Sequence, residues 1–208
     1  IYQAYSGLVQ SWNEIYNAPY QGEYRAPGDI LRQDLNGDGK IDEEDKRAWD
    51  KRYTEAPIGQ YGISLTAAYK GFDLQALFQG SYGRWDLWLD DFNNVNIPAD
   101  RYAFQQLHWS DTWSLDNRGA SLPRLSSSGD NRQESTFWAQ QTSYFRMRNL
   151  QLGYSIPTSL MNKISMNRAR IFVSGENLFT ITGWKGIEPE KKRTADAYPL
   201  VRTYSVGV

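Results

Sequence analysis

Hydrophobic and polar residues alternate with a period of two over "YGISLTAAY" (61–69). Tyr61, Ile63, Leu65, Ala67 and Tyr69 fall on one face; Gly62, Ser64, Thr66 and Ala68 fall on the other. After Lys70-Gly71 the alternation resumes, with Phe72, Leu74, Ala76 and Phe78 set against Asp73, Gln75 and Gln79; Ala68 and Leu77 are apolar exceptions on the second face. Such alternation, broken by a lysine-glycine step, predicts two antiparallel strands, 61–69 and 72–82, joined by a tight turn. The pattern returns at 144–156, where Tyr144, Leu150, Leu152, Tyr154 and Ile156 share a parity that Arg146 and Arg148 interrupt. It returns at 167–180, with Ala169, Ile171 and Val173 aligned as far as Gly175, where a bulge is predicted. A last candidate strand, 200–208, places Tyr204, Val206 and Val208 together. Between the third and fourth strands, "TSLMNKISM" predicts a short helical turn or an ordinary loop. The reading is all-β, about five antiparallel strands with almost no helix.

Between 83 and 143 the periodicity disappears, and Trp85, Trp88, Trp109, Trp113 and Trp138 are scattered among Asp, Asn, Ser and Pro. A structureless connection of this length is uncommon inside a compact soluble domain and points to a functional loop. Long loops on one side and short turns on the other are normal in outer-membrane barrels. A sheet that is apolar on one side must bury that side against something. Nothing else in the chain supplies a second layer, so either the long loop folds back over the sheet or lipid covers it.

Composition narrows this further. Lys and Arg number 23 against 24 Asp and Glu, which leaves no electrostatic footprint for nucleic acid or for an anionic membrane surface. The absence of cysteine excludes disulfides, thiolate catalysis and cysteine-based zinc sites, and a single histidine, His108, excludes multi-histidine metal sites. No apolar run approaches the roughly 20 residues of a membrane-spanning helix. The opening "IYQAYSGLVQ" lacks a basic region, a cleavage site and an initiator Met, so the expectation is an internal or processed piece. Aromatics make up 14% of the chain, including 8 Trp and 14 Tyr. That richness suits a glycan-binding β domain and equally a transmembrane barrel with aromatic girdles.

One stretch carries explicit chemistry. "DLNGDGKIDEED" (34–45) matches the 12-residue calcium loop, which needs oxygen ligands at positions 1, 3, 5, 7, 9 and 12 and glycine at position 6. Those positions are Asp34, Asn36, Asp38, the Lys40 carbonyl, Asp42 and Asp45, with Gly39 at the sharp turn and Ile41 as apolar anchor. An all-oxygen set favours calcium over a transition metal. Upstream, Pro27 and Gly28 do not read as an entering helix, so the loop resembles a stand-alone, dockerin-type site with a structural role. The adjacent acids Glu43-Glu44 and Asp90-Asp91 read as solvated loop charge rather than a glycosidase pair. No nucleophile, phosphate-cradling or metalloprotease motif is present, and no catalytic activity is expected. Arg146 and Arg148 are expected to pair with loop acids.

Five stretches then appear in order: "APGDILRQDLNGDGKIDEEDK", "YGISLTAAYKGFDLQALFQGSYG", "SYFRMRNLQLGYSIP", "RIFVSGENLFTITGWKGIEPE" and "YPLVRTYSVGV". Together they resemble the C-terminal part of a SusC/RagA-family TonB-dependent outer-membrane transporter of Bacteroidetes. The resemblance implies a barrel of about 22 strands, of which this chain would supply about five, and a plug domain and TonB-contacting segment beyond it. It further implies a SusD-like lipoprotein partner, energy from TonB–ExbB–ExbD, and glycan or peptide substrates. Strand counting in that frame makes the 70–71 and 157–166 connections periplasmic and 1–60, 83–143 and 181–199 extracellular, the calcium loop included. The expected division is 1–60 as an outer loop region and 61–208 as barrel strands with the long loop 83–143. Trp85 and Trp88 are expected as outer-leaflet girdle residues, and Trp109 and Trp113 as loop-packing, interface or ligand-stacking residues. The alternative reading is a soluble, calcium-stabilised β domain that binds carbohydrate through Trp109 and Trp113.

Overall fold

A computed structural model describes residues 2–22, 25–48, 56–88, 110–125, 131, 133–186, 188–190 and 200–208. The chain forms two compact units, one made chiefly of 1–53 and 86–140, the other of 54–85, 141–192 and 196–208. Within the long connection 83–143, the described residues between 86 and 140 fall in the first unit.

The second unit is a single five-stranded antiparallel sheet. In chain order its strands are β5 (Gly59–Tyr69), β6 (Phe72–Tyr82), β9 (Tyr144–Ser155), β10 (Arg170–Thr182) and β11 (Thr203–Gly207), arranged β11-β10-β9-β6-β5. All five expected strands are present, with the fourth starting at Arg170 rather than 167 and the last confined to Thr203–Gly207. Lys70 (φ 47°) and Gly71 (φ 87°) make the two-residue turn between β5 and β6, both with the positive φ that a type I′ turn requires. The 158–166 connection is a short helical turn, Thr158–Met161 running into a 3₁₀ turn at Asn162–Ile164.

The register explains the two arginines that interrupt the third strand. Leu77 pairs with Asn149 while Phe78 pairs with Met147, leaving Arg148 as an extra residue in β9. Across the other edge of β9, Arg148 faces the irregularity between Glu176 and Phe179 in β10. This bulge reverses the parity of β9. Phe145 and Met147 therefore join Leu150, Leu152 and Tyr154 on one face, and Arg146 is turned to the other. The bulge in β10 lies at Asn177 (φ 51°), just past Gly175, which stays in regular register with Leu150 and Tyr204.

The first unit consists of short elements tied by loops. β1 (Tyr2–Gln3) pairs with β4 (Lys46–Arg47), and β2 (Tyr5–Leu8) with β3 (Ile30–Arg32). Helix α1 (Trp12–Asn17) is capped by Ser11, whose hydroxyl accepts from the Glu14 amide. A further ribbon, β7 (Trp85–Leu87) with β8 (Ala139–Gln141), lies where the chain enters and leaves this region. Its core holds Val9, Ile30, Leu87, Trp88, Trp113, Leu122 and Trp138. A buried polar cluster centred on Asp29 stitches it together. The Asp29 carboxylate accepts from the Ala26 amide (2.7 Å) and Asn131 Nδ2 (2.9 Å) and pairs with Arg124 (2.6 Å). Asn131 in turn accepts from the Ile30 amide through its side chain and from the Trp138 indole through its carbonyl.

Candidate functional site

In an antiparallel sheet, residues directly opposite one another share a face. Following the register across all five strands, one face carries Ile63, Leu65, Leu74, Leu150, Leu152, Val173 and Val206. Leu65, Leu152, Val173 and Val206 are 46–77% exposed. At one end of this face Tyr61, Phe78, Phe145 and Phe179 cluster, Phe78 and Phe145 stacking at 5.4 Å. At the other end, beside the Lys70-Gly71 turn, Tyr69 and Phe72 are neighbours and Phe72 packs on Tyr154 at 4.6 Å. Aliphatic residues thus fill most of the middle and aromatic rings both ends, Tyr204 in register with Gly175 and Leu150 being the exception.

The opposite face is mainly polar, with Ser64, Thr66, Asp73, Gln75, Gln79, Arg146, Gln151, Arg170 and Thr180 beside the apolar Leu77 and Phe172. Asp73 on β6 and Arg170 on β10 form an ion pair of 2.5 Å that spans the intervening strand. It passes over Gly153, where any Cβ would collide with both partners. Near the other end Arg146 and Arg148 pair with Glu188 and Glu190, as expected from their place near loop acids.

The acidic loop 34–45 folds as a run of side-chain caps. Asp34 accepts from the amides of Gly37 (2.6 Å) and Gly39 (2.8 Å), Asn36 from Asp38 (3.0 Å), and Asp38 from Lys40 (2.8 Å). Gly39 has φ 83°, the left-handed turn that its position demands. Asp42 accepts from the Glu44 amide (2.8 Å) and begins the short turn Glu43–Asp45. Asp45 is buried, its carboxylate accepting from the amides of Leu35 (2.7 Å) and Asp42 (2.9 Å). The Asp42 and then the Leu35 bond hold its carboxyl below the usual aspartate range. Each hydrogen-bonded oxygen keeps a second lone pair for a cation. Among the described residues, however, no three acidic or histidine side chains gather closely enough to share one ion. The chemistry of the donor set suits calcium; these side chains face backbone amides, and holding an ion requires them to converge. Glu43 pairs with Lys46 at 2.6 Å and Glu44 accepts from Asn36, so both are solvated loop charge.

One tryptophan is placed differently from expectation. Trp88 is 3% exposed, its amide bonded to the Trp138 carbonyl and its ring 6.1 Å from that of Trp138, so it is core and not a girdle residue. Trp85 is half-buried at the start of β7. The sheet's own aromatic ends lie on Tyr61, Phe145 and Phe72 instead, residues hidden in the sequence by their ordinary place in the alternation. Trp113 is 6% exposed, donates its indole N–H to Gln10 (3.0 Å) and packs its ring against Gly28. It is a loop-packing residue, with no face open to a sugar. Trp109, His108 and the Asp90-Asp91 pair lie outside the described residues.

No protein-family model matches the chain. It is 27% identical to TonB-dependent receptor P3 of Formosa agariphila, over 98% of its own length and 21% of that receptor. Against TonB-dependent receptor SusC of Bacteroides thetaiotaomicron it is 27% identical over 93% of its length and 18% of the receptor. Among solved structures it aligns with a chain of the RagAB peptide transporter at TM-score 0.69 and 23% identity, covering 99% of this chain and 21% of that one. The chain therefore spans about a fifth of the length of these relatives. With one apolar and one polar sheet face and near-complete alignment, the chain is similar to a stretch of these TonB-dependent receptors and shares its fold with a stretch of the RagAB chain.

Proposed function

We propose that this chain supplies wall strands and outer loops of an outer-membrane, TonB-dependent importer of glycans or peptides that works with a SusD-like surface lipoprotein. The observation that carries the reading is the two-faced sheet. Its exposed aliphatic band is edged by aromatic rings at both ends, and its reverse is mainly polar. Tyr61 and Tyr69 are eight residues apart on β5, roughly 27 Å along a strand. At a tilt of about 40° that is about 20 Å of membrane depth, close to the apolar belt of outer-membrane barrels. On this reading the Lys70-Gly71 turn faces the periplasm, segments 1–60 and 83–143 are extracellular by strand counting, and the polar face lines the passage. The relatives' names support TonB coupling, and a peptide is the cargo named for RagAB.

In such a machine the strands contribute a fixed wall and the chemistry of the passage, with no bond made or broken. The calcium loop belongs to the same proposal as a structural clip on the outer surface. The Asp and Asn side chains at 34, 36, 38, 42 and 45, with the Lys40 carbonyl, would hold the ion, which would supply only cross-linking charge.

The test uses the full-length receptor. It is expected to fractionate with outer membranes, to need detergent for extraction, and to take up substrate only with TonB present. A receptor recovered in soluble form, with the strand amides of 61–82 protected in plain buffer, would sink the wall assignment.

A further inference from the structure

Three guanidinium groups converge on three consecutive residues, Glu188, Pro189 and Glu190. Arg146 on β9 binds Glu188 through Nη2 (2.5 Å) and Glu190 through Nη1 (2.9 Å), and its Nε donates to Thr180 Oγ1 on β10 (2.7 Å). Arg148, the bulged residue, binds the other Glu190 oxygen and donates its remaining nitrogens to Gln79 (2.7 Å) and Asn177 (3.3 Å). Arg84 lies just past β6. It donates to the Pro189 carbonyl (2.9 Å), the Glu190 carbonyl (3.3 Å) and Thr142 Oγ1 (2.8 Å). The Glu190 carboxylate therefore bridges two arginines, and one arginine bridges two carboxylates.

Two features separate this cluster from a ligand site. Every guanidinium nitrogen named is already committed within the chain, and the Arg146 side chain is only 2% exposed. A polar cavity of about 200 Å³, lined in part by Asn177, Thr180, Gly186, Glu188 and Pro189, separates this segment from β10. Hydrogen-bonded and ionic ties to Arg84, Arg146 and Arg148 hold it there, with Pro189 buried between the two acids. The chain turns into the segment at Thr182, whose hydroxyl donates to the Ser143 carbonyl (2.8 Å) and accepts from the Trp184 amide (3.1 Å).

We propose that Glu188, Pro189 and Glu190 form an ionic strap, fastened on the polar face of the sheet by Arg84, Arg146 and Arg148, that fixes the chain leaving β10 over the passage side of the wall. The proposal rests on the polar face being the passage side. The bulge has a purpose in it: without the extra residue, Arg146 would point to the apolar face and the strap would lose its central anchor.

The test is hydrogen–deuterium exchange on the full-length receptor in detergent micelles. Removing one partner of a buried ion pair leaves a buried, uncompensated charge, which costs several kcal/mol. A Glu188→Gln, Glu190→Gln receptor is expected to exchange amides of 183–190 on the order of 100-fold faster, while 61–82 and 144–155 keep their protection. Unchanged exchange over 183–190 would overturn the strap, and so would equal loss of protection in the strands. Because the double variant could misfold, Arg148→Gln compared with Arg148→Lys serves as a second arm. Lysine keeps the positive charge facing Glu190 and is expected to recover at least tenfold of the protection that Arg148→Gln removes; no recovery counts against the strap. Strand protection that persists without detergent would defeat the wall reading alone, leaving the strap comparison readable.

Discussion

The two units solve the same problem in opposite directions. The loop-built unit buries three tryptophans: Trp88, Trp113 and Trp138 are all 6% exposed or less, and a buried Asp29–Asn131 cluster satisfies the backbone around them. The sheet unit carries its apolar residues outside, with Leu65, Leu152 and Val206 all about half exposed or more, and keeps its ion pairs on the reverse. A β-sheet with that arrangement has no water-compatible core of its own. A unit with three buried indoles does. On the proposed reading the sheet faces lipid and the loop-built unit faces water, and one chain of 208 residues contains both.

The largest expected effect tests the water-made half. Trp138→Ala removes a fully buried indole together with its bond to the Asn131 carbonyl and its contacts with Phe137 and Trp88. The loss is about 3–5 kcal/mol. Limited proteolysis of the full-length receptor is expected to nick the region 110–140 while the strands stay intact. If the strands are lost as readily, the two units do not fold on separate terms.

The next effect inverts the usual surface rule. In a water-soluble protein, Leu152→Arg at a half-exposed position would be close to neutral. On a lipid face near mid-depth it costs about 2–4 kcal/mol. Thr66→Arg, on the polar face of β5, is the control. Urea unfolding of the receptor in micelles is expected to separate the two variants; equal midpoints would mean that the apolar face does not meet lipid.

This contrast also shows what was legible in the sequence. The five strands and the Lys70-Gly71 turn follow from period-two alternation, because a side chain's face is fixed by parity alone. The arginines of β9 were readable as partners for loop acids, but not as evidence of a bulge. A single inserted residue reverses parity, and nothing about Arg148 itself announces the insertion. The short pairs β1–β4 and β2–β3 were not legible, since two to four residues are too few to show a period. Their partners are set by long-range contacts such as Ile30 to Asn131. Tryptophan misled for a related reason: a ring that suits a membrane interface also suits a small core, and only burial separates the two.

A smaller effect probes how the loop unit is packed. Gly28 has φ 93°, and a Cβ there would collide with the Trp113 ring and the Arg124 side chain. Gly28→Ala combines backbone strain of about 1–2 kcal/mol with displacement of the indole. Tryptophan fluorescence of the receptor is expected to shift to the red as Trp113 moves toward water. An unshifted spectrum would mean that Trp113 is held by Gln10 alone.

The smallest effect concerns the acidic loop, whose side chains accept from backbone amides yet do not converge on a common point. If calcium is the intended guest, it must draw Asp34, Asp38 and Asp42 inward against only modest resistance, because each keeps free lone pairs while holding its amide. At a calcium concentration ten times its Kd the gain against local opening is about 1.4 kcal/mol. Protease protection across 34–45 of the full-length receptor is expected to rise with calcium and not with magnesium, whose stricter octahedral demand this loop does not meet. Asp34→Ala with Asp38→Ala is expected to abolish the response. Asp45→Asn separates two roles for the twelfth position: a ligand there weakens calcium protection, whereas a pure cap for Leu35 and Asp42 loosens the loop equally with and without the ion. Calcium protection that survives the Asp34 and Asp38 substitutions would place the ion elsewhere and leave 34–45 as a self-capped turn.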